Sequence, residues 1–272
     1  MTTATMTAPG SFTEPGLDDR LRWAISDTVT MTRRDLIRTA RQPEMWTFAV
    51  TMGAFFLLLF YYVFGGAIGA GTGVDYIQFL VPGVLVITAL NGAQQTGNSL
   101  AVDLSEGVVD RLRSLPMNQG AVLTGRTIAD TLRNTLTLVV VAILGYLLGF
   151  RFTGFGAAIG GVLLAVGLGF SFSWISAAIA AKVRNVEMVG MLSMFWLFPL
   201  LFASSAFTPT AQMPGWLQAF ADNQPISVVA DAIRALGDGT SAGGLILGSL
   251  LWIAGLTAFF GWLSARLYRK GT

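Results

Sequence analysis

Six apolar stretches, each close to the length that spans a bilayer, constrain this chain of 272 residues more than any other feature. A helix needs about 20 apolar residues to cross the hydrocarbon core of a membrane, which is roughly 30 Å thick. A charge at the centre of such a helix costs about 2.5–3.5 kcal/mol on insertion scales. The six stretches contain no Asp, Glu, Lys or Arg and run over 45–64, 77–101, 134–150, 157–181, 188–207 and 245–265. The sequence therefore predicts an all-α polytopic membrane protein with six transmembrane helices.

The composition excludes several classes of function. Charged residues make up 12% of the chain, against about 25% in an ordinary soluble domain. The chain contains no cysteine and no histidine. A Cys/His metal site, a cysteine nucleophile and a Ser-His-Asp triad are therefore excluded, and we expect neither catalytic residues nor a metal site. The net charge of +2 is too small to indicate a nucleic-acid partner.

The basic residues are distributed unevenly between the segments that join the apolar stretches. If the N-terminus is cytoplasmic, 15 of the 17 Lys and Arg residues fall on the cytoplasmic side. The opposite loops, at 65–75, 150–156 and 208–244, hold only Arg151 and Arg234. Because Lys and Arg are enriched in cytoplasmic loops, we expect a multi-pass protein of the plasma membrane with both termini in the cytoplasm.

The segments outside the apolar stretches divide the chain further. Residues 1–16 read as a flexible cytoplasmic tail, and residues 266–272 form a short cytoplasmic tail after the last predicted span. Over 17–43, apolar residues recur at near-helical spacing among several arginines, which predicts an amphipathic interfacial helix on the membrane surface. A solvated cytoplasmic helix is the alternative. The six-span permease domain is expected to cover 44–265.

The segment between the fifth and sixth apolar stretches is too polar to cross a membrane. Its apolar part, 226–236, is only eleven residues long and carries Asp231 and Arg234. A spanning helix is about twice that length. We therefore expect a short re-entrant or external helix here.

The chain carries no recognisable source of energy for transport. Its only lysines are Lys182 and Lys270, and neither follows the G-x-x-x-x-G pattern of a phosphate-binding loop. Proton-coupled carriers usually place Asp, Glu or His inside the membrane, and none lies well inside a predicted span. We therefore expect that the chain is not an enzyme and that any ATP is bound by another protein.

The loop after the second stretch is the most informative polar segment. Residues 104–116 read LSEGVVDRLRSLP, in which Ser105 is a candidate helix N-cap and Pro116 a stop. Apolar side chains follow at i, i+4 and i+7 from Val108. This pattern favours a short cytoplasmic helix that docks into a groove of a partner subunit. A helix lying on lipid is the alternative.

A polar stripe runs along one face of the second predicted span. Amide side chains recur there at i, i+3, i+4 and i+7, at Asn91, Gln94, Gln95 and Asn98. Such groups avoid lipid, so the stripe indicates either a lining for the substrate path or hydrogen bonding between helices. The second role is worth on average about 0.6 kcal/mol per contact.

The fourth predicted span carries a small residue at every fourth position. Small residues at this spacing let helix backbones approach closely, which predicts a packing seam. Its members are Ala157, Gly161, Ala165, Gly169, Ser173, Ala177 and Ala181.

Three segments resemble ABC exporter permeases of the daunorubicin-resistance type. The first is EGVVDRLRSLP at 106–116 with AVLTGRTIADTLRN at 121–134, which is similar to that family's coupling region. The second is residues 204–236, with the pattern Pro-x-x-x-x-Pro-Gly-Trp, and the third, weaker one is RRDLIRTARQP at 33–43. Together with six spans, the resemblance covers nearly the whole chain.

This resemblance implies a permease subunit of an ATP-driven exporter that moves amphipathic drugs or lipids outward. Two separate ATPase subunits would bind ATP and Mg²⁺, so the chain itself would hold no cofactor. The permease would pair with a second copy or with a sister permease, and it would contact membrane lipids. An ion or small-solute channel that needs no ATPase is the competing hypothesis from a different class.

The resemblance also assigns residues to coupling with the ATPase. Arg33 and Arg34, on the first helix, would form a second contact, although binding of anionic lipid explains them equally well. Many relatives have a Thr-Leu-Glu-like tripeptide where this chain has Val108, Val109 and Asp110. This chain therefore keeps an acidic residue at the third position, but with different neighbours. The coupling contacts carried over are Glu106, Gly107, Asp110, Arg111, Leu112 and Arg113.

Overall fold

The computed structural model of the chain describes residues 17–40, 43–72, 76–107 and 119–270. Within these ranges the protein is entirely helical, with no β-strand, as the apolar pattern predicts. The predicted tail at 1–16 and residues 108–118 lie outside the described residues. The α-helices are α1 (Leu17–Ala40), α2 (Pro43–Thr72), α3 (Tyr76–Ser105), α4 (Gln119–Leu147), α5 (Phe155–Val183), α6 (Val186–Phe202), α7 (Gly215–Asn223), α8 (Pro225–Asp238) and α9 (Gly243–Lys270).

Helix α3 lies at the centre of the bundle. Every residue from 80 to 90 on this helix is buried, and α3 packs most extensively against α5. A Cβ atom at Gly169 of α5 would lie 3.0 Å from the carbonyl oxygen of Ala89 on α3. One turn further, Ser173 and Thr96 approach with their hydroxyl oxygens 3.5 Å apart. These contacts confirm that the small-residue seam of α5 permits close helix packing.

Among the described residues, four helices are long and apolar enough to cross a membrane. The first and fifth predicted spans correspond to shorter apolar helical segments, Thr47–Val63 within α2 and Val186–Phe202, which is α6. Six spans therefore remain a prediction, although all six predicted stretches are largely helical. The four helices are Tyr76–Ser105, Leu123–Leu147, Phe155–Val183 and Gly243–Tyr268.

The helix that holds the third predicted span begins before the uncharged stretch at 134–150. Helix α4 starts at Gln119 and ends at Leu147, and its part from Leu123 onward is long and apolar enough to cross a membrane. Arg126, Asp130 and Arg133 lie in this helix before residue 134. They pair with one another, with Arg133 Nη2 lying 3.1 Å from Asp130 Oδ1.

The segment that leads into α8 passes close to α3. A Cβ atom at Gly83 would overlap the carbonyl oxygen of Ala206, a backbone atom in the turn that follows α6. Glycine is therefore required at this crossing. Helix α8 itself is buried over most of its length against α3, α5 and α9, so it lies within the bundle and not on its surface.

Gly83→Ala is expected to lower the free energy of unfolding by about 1–3 kcal/mol, because the added methyl group meets backbone that can move only with the whole turn. Gly255→Ala on α9 is the matched control, since a Cβ atom there meets nothing within 4 Å. Alanine at that position is expected to be neutral or to stabilise the helix by up to about 1 kcal/mol. Thermal unfolding of both variants in detergent checks the difference, and equal midpoints would contradict it.

Candidate functional site

The predicted coupling segment begins where α3 ends. Ser105 is the last residue of α3, and its hydroxyl donates a hydrogen bond to the carbonyl of Val102 at 2.8 Å. The prediction that Ser105 caps the following helix is therefore wrong. Gly107 has a φ of 70°, the left-handed conformation with which a glycine terminates a helix. Glu106 lies between them and is exposed.

The other coupling residues carried over from the resemblance are Asp110, Arg111, Leu112 and Arg113. They lie outside the described residues, so their role stays a prediction. The structure describes the residues on either side of this segment, Gly107 and Gln119.

Helix α1 packs against the first part of α4. The hydroxyl of Thr32 donates a hydrogen bond to the carbonyl of Gly125 at 3.1 Å. A Cβ atom at Gly125 would lie 2.8 Å from both the carbonyl oxygen of Thr28 and the Cβ atom of Met31, so no larger residue fits there without movement. Part of α1 therefore contacts protein, and the prediction that this helix lies on the membrane surface stays a prediction for the remainder.

The two predicted contact arginines of α1 follow directly after this packed turn. Arg33 and Arg34 are both exposed, and Arg34 Nη2 lies 3.3 Å from a carboxylate oxygen of Asp35. Exposed pairs of this kind contribute little to stability, because water screens them and the long side chains lose freedom. Arg33 and Arg34 are therefore accessible to a partner or to lipid headgroups.

The middle of α1 and the end of α3 converge on one turn of α4. Gly125 contacts α1, and the next residue, Arg126, forms an ion pair with Asp103 near the end of α3. Arg33 and Arg34 and the first residues of the predicted coupling segment, Glu106 and Gly107, therefore lie near the same end of the bundle. The pairing of Arg126 with Asp103 was not predicted, because the opposite charges at i, i+4 and i+7 in α4 indicate only pairs within that helix.

The polar stripe of α3 lies in the half of the helix nearer this end. Its opposite face is buried, and a Cβ atom at Gly97 there would lie 2.7 Å from Ser176 on α5. Asn91 is exposed, while Gln94, Gln95 and Asn98 are half-buried. The side-chain oxygen of Asn98 faces Gly190 of α6 and has no hydrogen-bond partner within the described residues. The stripe therefore presents polar groups that the single chain does not fully satisfy.

A second charged cluster lies at the opposite end of α3, around Arg234 of α8. Its guanidinium stacks over the ring of Phe79 at 3.9 Å, and Nε donates to the carbonyl of that residue at 3.2 Å. Nη2 donates to the carbonyl of Ser205 at 2.7 Å, and Nη1 pairs with Asp231. The cluster joins α8 to α3 and to the turn after α6. The sequence placed Arg234 in an external loop, and the structure buries it.

Large apolar side chains cover the outer faces of several helices. On α6 the ring of Phe195 is 81% exposed, and on α9 Leu251 is 66% exposed. Such surfaces are too apolar for water and require lipid or a partner. Among the described residues no group of three or more Asp or Glu side chains could hold a metal ion.

Comparison with known proteins agrees with this arrangement. The family model described as ABC-2 type transporter matches residues 26–236. The daunorubicin resistance ABC transporter permease protein DrrB1 of Streptomyces coeruleorubidus is 42% identical over 91% of this chain and 87% of its own length. The probable doxorubicin resistance ABC transporter permease protein DrrC of Mycobacterium tuberculosis is 26% identical over 89% of this chain and 88% of its own.

A third relative is the putative transport permease ycf38 of Cyanophora paradoxa, which is 26% identical over 78% of this chain and 74% of its own length. The matches to the two resistance permeases extend over almost all of the described helices. ABC permeases of this kind are membrane subunits and are not themselves ATPases. The resemblance noted in the sequence is thereby confirmed, and the chain belongs to the ABC-2 type transporter family of multi-pass membrane permeases.

Proposed function

We propose that this chain is the six-span permease subunit of an exporter driven by ATP that separate ATPase subunits hydrolyse. The observation that carries this proposal is the convergence of α1 and the end of α3 on Gly125 and Arg126. This convergence gathers the two segments that resemble ATPase-contact regions at one end of the bundle. The family membership supports the same conclusion, since the similar proteins are ABC transporter permeases.

Amphipathic drugs are the proposed cargo. The two resistance permeases are named for daunorubicin and doxorubicin, which are flat aromatic molecules carrying an amine. The amide stripe of α3, surrounded by apolar surface, offers hydrogen bonds to a ligand of mixed polarity. Complex lipids also combine polar and apolar groups, so they are the second class of cargo to be tested for transport.

The proposed orientation places both termini in the cytoplasm, with α2 and α6 as the first and fifth spans. Helix α2 has 30 residues, so it is about 45 Å long and exceeds the core of a bilayer. Helix α6 has 17 residues, the lower limit for a span, and is followed directly by the buried turn at 203–206. With six spans, 15 of the 17 basic residues are cytoplasmic.

The proposed assembly contains two permeases, either two copies or this chain with a sister permease, and two ATPase subunits. The exposed amide of Asn91 supports the pairing, since a polar group on a spanning helix is unfavourable against lipid and favourable against another polar surface. The exposed arginines of α1 and the segment after Glu106 would face the ATPases. ATP and Mg²⁺ would be held there and not by this chain.

Co-purification tests the proposal. We expect the tagged chain, extracted in mild detergent from its native host, to retain an ABC ATPase in a stable complex. An unrelated six-span protein expressed at the same level serves as the control. A chain that is folded in detergent and yet retains no ATPase under these conditions contradicts the proposed function.

The double variant Gln94→Leu with Gln95→Leu tests the stripe as a substrate path. We expect transport of daunorubicin per ATP to fall about 5- to 30-fold, the loss of one or two ligand hydrogen bonds at roughly 1 kcal/mol each. Binding of the ATPase should not change. Ser99→Ala, on the same helix, is the control and should transport as the unmodified protein does. Unchanged transport with a lowered unfolding temperature would instead assign the stripe to helix packing.

A further inference from the structure

Four charged side chains form a continuous chain at the end of the bundle where α3 meets α4. Asp103 is 5% exposed, and Arg126, with which it pairs, has a side chain that is 14% exposed. Nε of Arg126 lies 3.9 Å from Asp130, and Asp130 in turn pairs with Arg133. The cluster holds two carboxylates and two guanidinium groups, so its formal charge is zero.

Only one of these ion pairs joins two helices. Arg126 with Asp130 and Asp130 with Arg133 are contacts within α4, at i, i+4 and i, i+3. Asp103 with Arg126 links the last turn of α3 to α4 across 23 residues of sequence. These 23 residues include the whole predicted coupling segment. The Asp103–Arg126 pair therefore joins the helix that precedes the predicted coupling segment to the helix that follows it.

Stability alone does not explain a buried pair at this place. An apolar pair of similar volume would be as stable as a buried ion pair, or more so, because removing charges from water is costly. A carboxylate in the last turn of a helix is also unfavourable, since the carbonyl end of the helix carries partial negative charge. What an ion pair adds is a single preferred geometry.

We propose that the Asp103–Arg126 pair is a positioning device that makes α3 and α4 move with the coupling segment as one body. This inference rests on the proposed function. When the ATPases displace the coupling segment, the Asp103–Arg126 pair transmits the movement to α3. The amide stripe of α3 begins at Asn98, about 7.5 Å from Asp103 along the helix axis. Without the pair, the turn at Gly107 bends and absorbs the movement. The contact of Gly125 with α1 carries the same displacement into the N-terminal helix.

A double-mutant cycle tests this inference in the complete complex with its ATPase. Asp103→Asn and Arg126→Gln are each expected to lower daunorubicin transport per ATP about 5- to 150-fold, the usual range of coupling between distant sites. The combined variant should be no worse than the more impaired single variant, because the pair acts as a unit. Charge reversal is unsuitable, since an acid at position 126 would lie one turn from Asp130.

A reversible cross-link separates positioning from folding. The chain has no cysteine, so Asp103→Cys with Arg126→Cys provides the only two thiols in this subunit. We expect the complex of this variant with the ATPase to form and to hydrolyse ATP but to transport poorly. A short bis-methanethiosulfonate linker should restore transport per ATP to within about threefold of the unmodified protein, and dithiothreitol should abolish the gain. Each single cysteine variant treated with the same linker is the control.

Asp231→Asn is the control at the other end of α3. It weakens the ion pair within α8 between Arg234 and Asp231, whose side chain is 36% exposed, so any fall in the unfolding temperature should leave transport per ATP unchanged. Equal transport per ATP in the unmodified protein, Asp103→Asn and Arg126→Gln would overturn the positioning role. So would a cross-linked variant that stays uncoupled while bound to the ATPase. Failure of the unmodified chain to bind any ATPase would instead overturn the proposed function.

Discussion

Arg234→Ala is expected to destabilise the folded permease by about 2–4 kcal/mol, the sum of two lost hydrogen bonds to carbonyls, a weakened ion pair and a lost cation–π contact. The guanidinium of Arg234 stacks on Phe79, pairs with Asp231 and donates to the carbonyls of Phe79 and Ser205. Alanine would leave the carboxylate of Asp231 without its cationic partner. The carbonyls of Phe79 and Ser205 would lose the hydrogen-bond donor that Arg234 provides. It would also release α8 from α3 and from the turn after α6.

Arg151→Ala is the matched control for this experiment. Arg151 also stacks on an aromatic ring, with its guanidinium 4.1 Å from the centre of the Tyr146 ring, but the residue is exposed. Its removal should cost no more than about 1 kcal/mol. Thermal unfolding followed by size-exclusion chromatography in detergent compares the two. Equal losses would show that the cluster around Arg234 does not hold α8 in place.

Reversing the two arginines of the coupling segment, Arg111→Glu with Arg113→Glu, should weaken binding of the ATPase at least about 10-fold and abolish coupled hydrolysis. Arginine forms planar paired hydrogen bonds with carboxylates, and two acids in its place would repel the same carboxylates. Truncating one side of a buried, hydrogen-bonded charge pair across an interface typically costs about 2–5 kcal/mol, and reversal costs more. The measurement is retention of the ATPase on the immobilised permease, together with the ATPase rate.

The control for charge alone is Arg266→Glu with Arg269→Glu. Both residues lie near the end of α9, which the proposed orientation also places in the cytoplasm. Reversal there makes the same change in net charge without touching the coupling segment. If both double variants retain the ATPase as the unmodified chain does, the assignment of Arg111 and Arg113 to coupling is wrong. If both lose it equally, general electrostatic attraction accounts for the effect.

The apolar pattern predicted the helices well, because burial in lipid or protein requires continuous apolar sequence regardless of the partner. The seam of α5 was also readable, since small residues every four positions admit close packing against any helix. The amide stripe could be located on α3 by spacing alone. Its partial burial follows from the neighbouring helices, which the pattern of one helix does not specify.

The charged clusters were missed for a common physical reason. The acid with which Arg126 pairs, Asp103, lies on another helix, 23 residues earlier in the sequence. The carbonyl that Arg234 binds belongs to Phe79, which is 155 residues away. Contacts over such separations depend on the assembled bundle. The wrong prediction at Ser105 has a different cause. A serine hydroxyl can hydrogen-bond to the end of the preceding helix or cap the start of the next one, and the left-handed turn at Gly107 favours the first.

Transport of daunorubicin into sealed proteoliposomes tests the central claim most directly. Vesicles are prepared with the permease alone and with the permease and its ATPase, and lumenal accumulation is followed with and without ATP. If the chain is an exporter subunit that depends on a partner for energy, accumulation against a gradient should require both the ATPase and ATP. Equal passage of daunorubicin through the permease alone, without ATP, would contradict the account and would identify the chain as a channel or facilitator.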